Sequence, residues 1–168
     1  TFHQFGSGTF AGARTHLSRY MLVDPLALAK EAGALAALGV PDPWGLLTAD
    51  RGALVVSPYQ QAANRLRTLA DGPDAHGTCG AGVGETVADS LDYPAAVLHV
   101  ADLADPVAAR LKLEELRHMK RESLVPVIPE LRGHPRAAPE LRTLDDPELV
   151  DAVVGFAGLP ATLAALEG

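Results

Sequence analysis

Three of the four Asp-Pro pairs, those at 24–25, 105–106 and 146–147, limit the folds open to this chain more than any other feature. An Asp at the N-cap gives an oxygen to a helix amide that lacks an internal partner, and Pro at the first helical position has no amide to lose. Each pair therefore predicts a helix start. The first helix carries Leu28, Ala32, Leu35 and Leu38 on one face and stops at Gly39. The second runs through about Arg121 with Val107, Leu111 and Met119, and the third carries Leu149, Val150, Val153 and Val154. Another helix, Gln60 to Ala70, follows Pro58. Between the helices lie short apolar runs, at 20–23, 44–48, 53–57 and 95–100, which read as strands. Residues 1–10 begin β-prone and break at Gly6-Ser7-Gly8, while Pro126 and Pro129 leave 124–128 open between helix and strand. Short apolar runs alternating with capped helices predict an α/β fold, a mostly parallel sheet with flanking helices. The expected division is a core segment over 1–132, a Pro/Gly-rich linker over 133–145 and a C-terminal helical segment over 146–168.

The chemistry-bearing stretch runs from Asp71 to Leu91, where Gly77, Gly80, Gly82 and Gly84 surround the single cysteine, Cys79. Glycine reaches positive φ at little cost, so such a run can turn its amides toward one point. Residues 85–91 read as a helix, and a glycine turn feeding a helix N-terminus suits an anion such as phosphate. The same composition also suits a flexible surface loop. No Lys follows the glycines, which excludes the G-x-x-x-x-G-K-[ST] loop, and the G-x-G-x-G spacing misses the dinucleotide fingerprint. Cys79 reads as a small side chain packed beneath a tight loop in preference to a reactive thiolate.

The net charge of −7 argues against a broad nucleic-acid surface, and no apolar run is long enough to span a bilayer. One cysteine excludes an internal disulfide and a cysteine zinc site and fits a reducing cytoplasm. The six histidines show no metal-ligand spacing. His118-Met119-Lys120-Arg121 reads as a basic helix end matched to the helix dipole, and Asp50-Arg51 as a turn. Alanine-rich, Arg-over-Lys composition fits a high-GC bacterial coding sequence. A start at Thr1 is read as an interior portion of something longer.

Five blocks in order carry a family resemblance: F-H-Q-F-G-S-G (2–8), M-L-V-D-P-L-A-L-A-K-E (21–31), T-A-D-R-G-A-L-V-V-S-P-Y (48–59), H-G-T-C-G-A-G-V-G (76–84) and H-V-A-D-L (99–103). Together they resemble adenylosuccinate synthetase over Phe2 to about Leu116. The resemblance implies a GTP-dependent ligase joining aspartate to IMP, with GTP and Mg2+ as cofactors, a small-molecule purine nucleotide as partner and a homodimeric assembly. It implies that the glycine loop binds the nucleotide's 5′-phosphate, through Gly77, Thr78, Cys79 and Gly80.

The departures from the family pattern are specific. Cys79 stands for a Thr, Ala81 for the loop Arg and Glu85 for a Pro. Tyr93 stands where an Arg reaches the partner subunit's IMP, Gln60 for a His after P-Y, and Asn64 for an Asp. The family's catalytic Asp loop and its GTP segment match nothing in these residues, so no catalytic residue is assigned here and the 168 residues alone are expected to be inactive. Two alternatives follow: a ligase with an altered purine substrate, or a non-catalytic nucleotide-binding or dimerisation remnant of the family.

Overall fold

The computed structural model describes residues 3–72 and 79–157. The chain separates into two compact units, one formed by 1–55, 98–109 and 152–168, the other by 56–97 and 110–151.

In the first unit, β1 (Thr15–Leu17) pairs in parallel with β3 (Leu47–Ala49), and β2 (Leu22–Val23) pairs in parallel with β4 (Leu54–Val55). Helix α1 (Pro25–Ala37) starts as the Asp-Pro pair predicts: Asp24 Oδ1 accepts from the Ala27 amide at 3.0 Å. Gly39, at φ +96°, follows its C-terminus in the left-handed region that glycine favours. Leu28 and Leu35 on the apolar face are fully buried with Val23, Leu47 and Val55. The fold is thus α/β with short parallel pairings.

Glu31 ties the first two sequence blocks together. Its carboxylate accepts from the amides of His3 (2.7 Å), Gln4 (3.1 Å) and Phe5 (3.0 Å), so the N-terminal turn is hung on the second turn of α1's buried face. Three charge-assisted bonds to one buried carboxylate satisfy backbone donors that no strand serves.

The strand expectations are all trimmed: the run at 44–48 opens as a 3-10 turn (Trp44–Leu46) before β3, the run at 53–57 gives only Leu54–Val55, and the other two change further. The run at 20–23 contributes only Leu22–Val23, because Tyr20 is exposed and the Met21 amide turns back to the Ser18 carbonyl. The run at 95–100 is no strand. His99 makes one antiparallel bridge to Leu54, and its amide then donates to Asp102 Oδ2 at 2.7 Å. That side-chain acceptor opens a 3-10 turn (Val100–Ala104) where the ladder would have continued. β1 was missed in the sequence because three residues, only one of them buried, make no legible alternation.

The second unit is helical: α2 (Pro58–Ala70), α3 (Val83–Asp92), the part of α4 (Pro106–Leu124) from Arg110, α5 (Ile128–Leu131), α6 (Ala137–Asp145) and the start of α7 (Glu148–Ala157). α2 packs on α3, α5 and α6. Its capping box joins Ser57 and Gln60 reciprocally, and it buries Tyr59, Ala62, Ala63 and Leu66. Helix α6 lies within 133–145, the stretch expected as linker. Pro139 stands in its first turn, where the missing amide costs little, and Leu144 is buried.

Candidate functional site

The described part of the glycine loop lies against α2. Gly80 and Gly82 both have positive φ, +67° and +77°. A β-carbon on Gly80 would sit 3.1 Å from Arg65 Cγ, and one on Gly82 would sit 3.0 Å from the Gln61 backbone nitrogen. These two glycines meet both a conformational and a spatial demand. Gly84 meets neither, being helical with open space at its α-carbon. Gly77 and Thr78, the other expected phosphate ligands, lie outside the described residues.

Arg65 clamps the loop. Its Nε donates to the Gly80 carbonyl at 3.0 Å, and its guanidinium pairs with Glu140 of α6 at 3.1 Å. A cleft of about 240 Å³ opens beside the loop, lined by Arg65, Thr68, Cys79, Gly80, Arg136 and Glu140. Arg136 makes no ion pair with another described residue, so its charge is available to the cleft. Cys79 is exposed there, which overturns its reading as a packing residue.

Gly82 caps α3 without a side-chain partner, and Glu85 stands in the first turn. The sequence alone makes Glu85 a like charge for a phosphate. In the structure it is neutralised: Arg67 Nε lies 2.8 Å from Oε1 and Lys120 Nζ 2.8 Å from Oε2. Lys120 also reaches Asp89 Oδ1 at 2.5 Å, and Asp89 Oδ2 accepts from Gln60 Nε2 at 2.8 Å. Gln60, Asp89 and Lys120 are all buried. The basic helix end around Lys120 is therefore a mixed feature: Lys120 turns inward as a buried counterion, while His118 and Arg121 form exposed pairs with Glu122 and Asp145. Gln60, where the family pattern has His, serves helix capping and the orientation of Asp89. Tyr93 is exposed.

Arg65, Arg67, Asp89, Lys120, Arg136 and Glu140 went unremarked as site-forming residues. Their only sequence signal is indirect, since i, i+2 arginines on α2 and a lone Lys far along the chain meet only when the helices pack.

The profile of the adenylosuccinate synthetase family matches residues 1–142. The chain belongs to the adenylosuccinate synthetase family. The chain is 34% identical to the adenylosuccinate synthetase of Aliivibrio fischeri over 105 residues, covering 62% of this chain and 23% of that protein. It is 33% identical to that of Clostridium botulinum strain Alaska E43 over 122 residues, covering 72% of this chain and 27% of the relative. The matched stretch thus spans about a quarter of the length of these synthetases. Within this family member the profile match ends at Arg142, inside α6. Among the described residues no three His, Cys, Asp or Glu side chains converge as a metal site, and no Lys follows the glycines. No ligand for magnesium or the GTP phosphates is therefore assigned among the described residues.

Proposed function

We propose that this chain supplies the purine-nucleotide phosphate subsite of a GTP-dependent, adenylosuccinate synthetase-type ligase acting on IMP or a closely related purine nucleotide. The observation that carries the reading is the pair of left-handed glycines, Gly80 and Gly82, held against α2 beside Arg65 and Arg136 at the start of α3. Backbone amides at a helix start together with guanidinium groups suit a phosphomonoester. The chemistry of such a ligase is general. An amide-like purine oxygen leaves poorly until GTP phosphorylates it, after which the aspartate amine displaces phosphate, and positioning with charge neutralisation supplies most of the rate.

The subsite serves binding and orientation, and the phosphoryl-transfer machinery belongs to other segments of the ligase. The working protein is a cytoplasmic homodimer in this reading, with Tyr93 leaving the cross-subunit phosphate contact unmade. A second reading, nucleotide binding without turnover, is favoured by Ala81 and Glu85, which remove one loop cation and commit Arg67 and Lys120 to an internal carboxylate. Phosphate release in the presence of IMP, measured on the longest natural product of this gene, separates the two. Release dependent on both GTP and aspartate supports the ligase; binding of IMP without any release supports the second reading.

A further inference from the structure

The second unit carries another depression, remote in sequence from the glycine loop and built from α4, α5 and α6. It encloses about 500 Å³, within the usual range for organic ligands. Its lining includes the apolar side chains of Val125, Ile128, Leu141 and Leu144. Val125 is 64% exposed, so this part of the lining is open to solvent. The same lining carries Arg117 and Arg132.

The charges do not cancel. Arg121 pairs with Asp145 at 3.1 Å and His118 lies 3.2 Å from Glu122, so three guanidinium groups, Arg117, Arg121 and Arg132, meet two carboxylates, Glu122 and Asp145. Arg117 and Arg132 make no ion pair with a described residue. The Nε of Arg117 is buried with no hydrogen-bond partner. A guanidinium stays charged at every ordinary pH, so Arg117 and Arg132 bring two positive charges to the groove.

We propose that this groove binds an amphipathic organic anion, its apolar body against Val125, Ile128 and Leu141 and its carboxylate or phosphomonoester headgroup on Arg117 and Arg132. Arginine matches both headgroups through paired N–H donors. Neither half of such a ligand suffices, because a bare anion leaves the apolar lining wet and a neutral chain leaves Arg117 and Arg132 without a counter-charge.

Calorimetric titration of the full chain with octanoate, octyl phosphate, octanol, acetate and inorganic phosphate tests the proposal. At least one of octanoate and octyl phosphate is expected to bind about tenfold or more tighter than octanol and than its own bare headgroup ion, and the tighter of the two identifies the headgroup. Val125→Asp, at an exposed position that tolerates the change, should weaken that complex by about tenfold or more through charge repulsion. Arg132→Gln should weaken it severalfold, and Arg14→Gln, exposed in the other unit, should leave it unchanged. No binding of either amphiphile at millimolar concentration would overturn the proposal. So would octanol binding equally well, or undiminished binding by folded Val125→Asp and Arg132→Gln proteins.

Discussion

Gly82 lies so close to Gln61 that a β-carbon on it would stand 3.0 Å from the Gln61 backbone nitrogen. Gly82 also holds φ at +77°, so an L side chain meets strain and a backbone clash together. Gly82→Ala is expected to cost about 2 kcal/mol or more. Gly84→Ala, two residues on in α3 with nothing within 4 Å, should be neutral or stabilising by up to about 1 kcal/mol. Urea denaturation of both variants checks the contrast, and equal losses would show that the loop is not seated on α2.

Lys120 is the hinge of the buried ion cluster, with Asp89 at 2.5 Å and Glu85 at 2.8 Å. Lys120→Met keeps much of the volume and leaves Asp89, itself buried, with Gln60 as its polar partner. The expected loss is about 3–5 kcal/mol, the range for stranding one member of a buried pair. The double variant Lys120→Met with Asp89→Leu should recover part of it. A loss under about 1 kcal/mol in the single variant would mean that the cluster is solvated.

Tyr59 is fully buried, and its hydroxyl donates to the Asp146 carbonyl at 3.0 Å. Burial pushes its pKa up from 10.0 to about 12, against the opposing pull of Arg117. The folded state therefore holds the phenol proton more tightly than the unfolded chain does. Its stabilising effect is complete below pH 10 and is lost as pH rises toward about 12, by about 2–3 kcal/mol in all. Tyr59→Phe should remove that alkaline loss from the stability–pH profile. A variant profile parallel to the parent's between those pH values would contradict it.

Glu31→Ala strips three amides, those of His3, Gln4 and Phe5, of their acceptor. We expect a loss of about 3 kcal/mol or more, with Glu31→Gln costing less because one oxygen remains. Thermal denaturation of the pair gives the measurement, and a negligible effect of the Ala variant would mean that the N-terminal turn is held by other contacts.

Local signals were legible in the sequence where a residue acts on its own neighbours. Asp24-Pro25 started α1 where predicted, and Gly80 and Gly82 turned the loop as a glycine run should. The parallel β2–β4 pairing joins two of the predicted apolar runs, whereas β1 lies in none of them. What escaped was set by contacts distant in sequence or by competing local acceptors. Asp102 diverts the run at 95–100 from a ladder, and Lys120 turns inward only because α3 presents Glu85 and Asp89 to it. α6 was hidden by Gly133 and two prolines, although Leu144 has a core position. Arg65 and Arg136 reach one cleft from positions separated by the whole of α3 and α4, a juxtaposition that no spacing rule reveals.

The central claim is that the glycine loop holds the phosphate of a purine nucleotide, and titration of IMP, AMP and inorganic phosphate into the full chain by calorimetry tests it most directly. The account predicts saturable heat with at least one nucleotide. It also predicts that the complex is weakened by about 1–3 kcal/mol in Thr78→Val, which removes a hydroxyl donor from a charged acceptor. Absence of heat with all three at millimolar concentration, from protein shown to be folded, would contradict it.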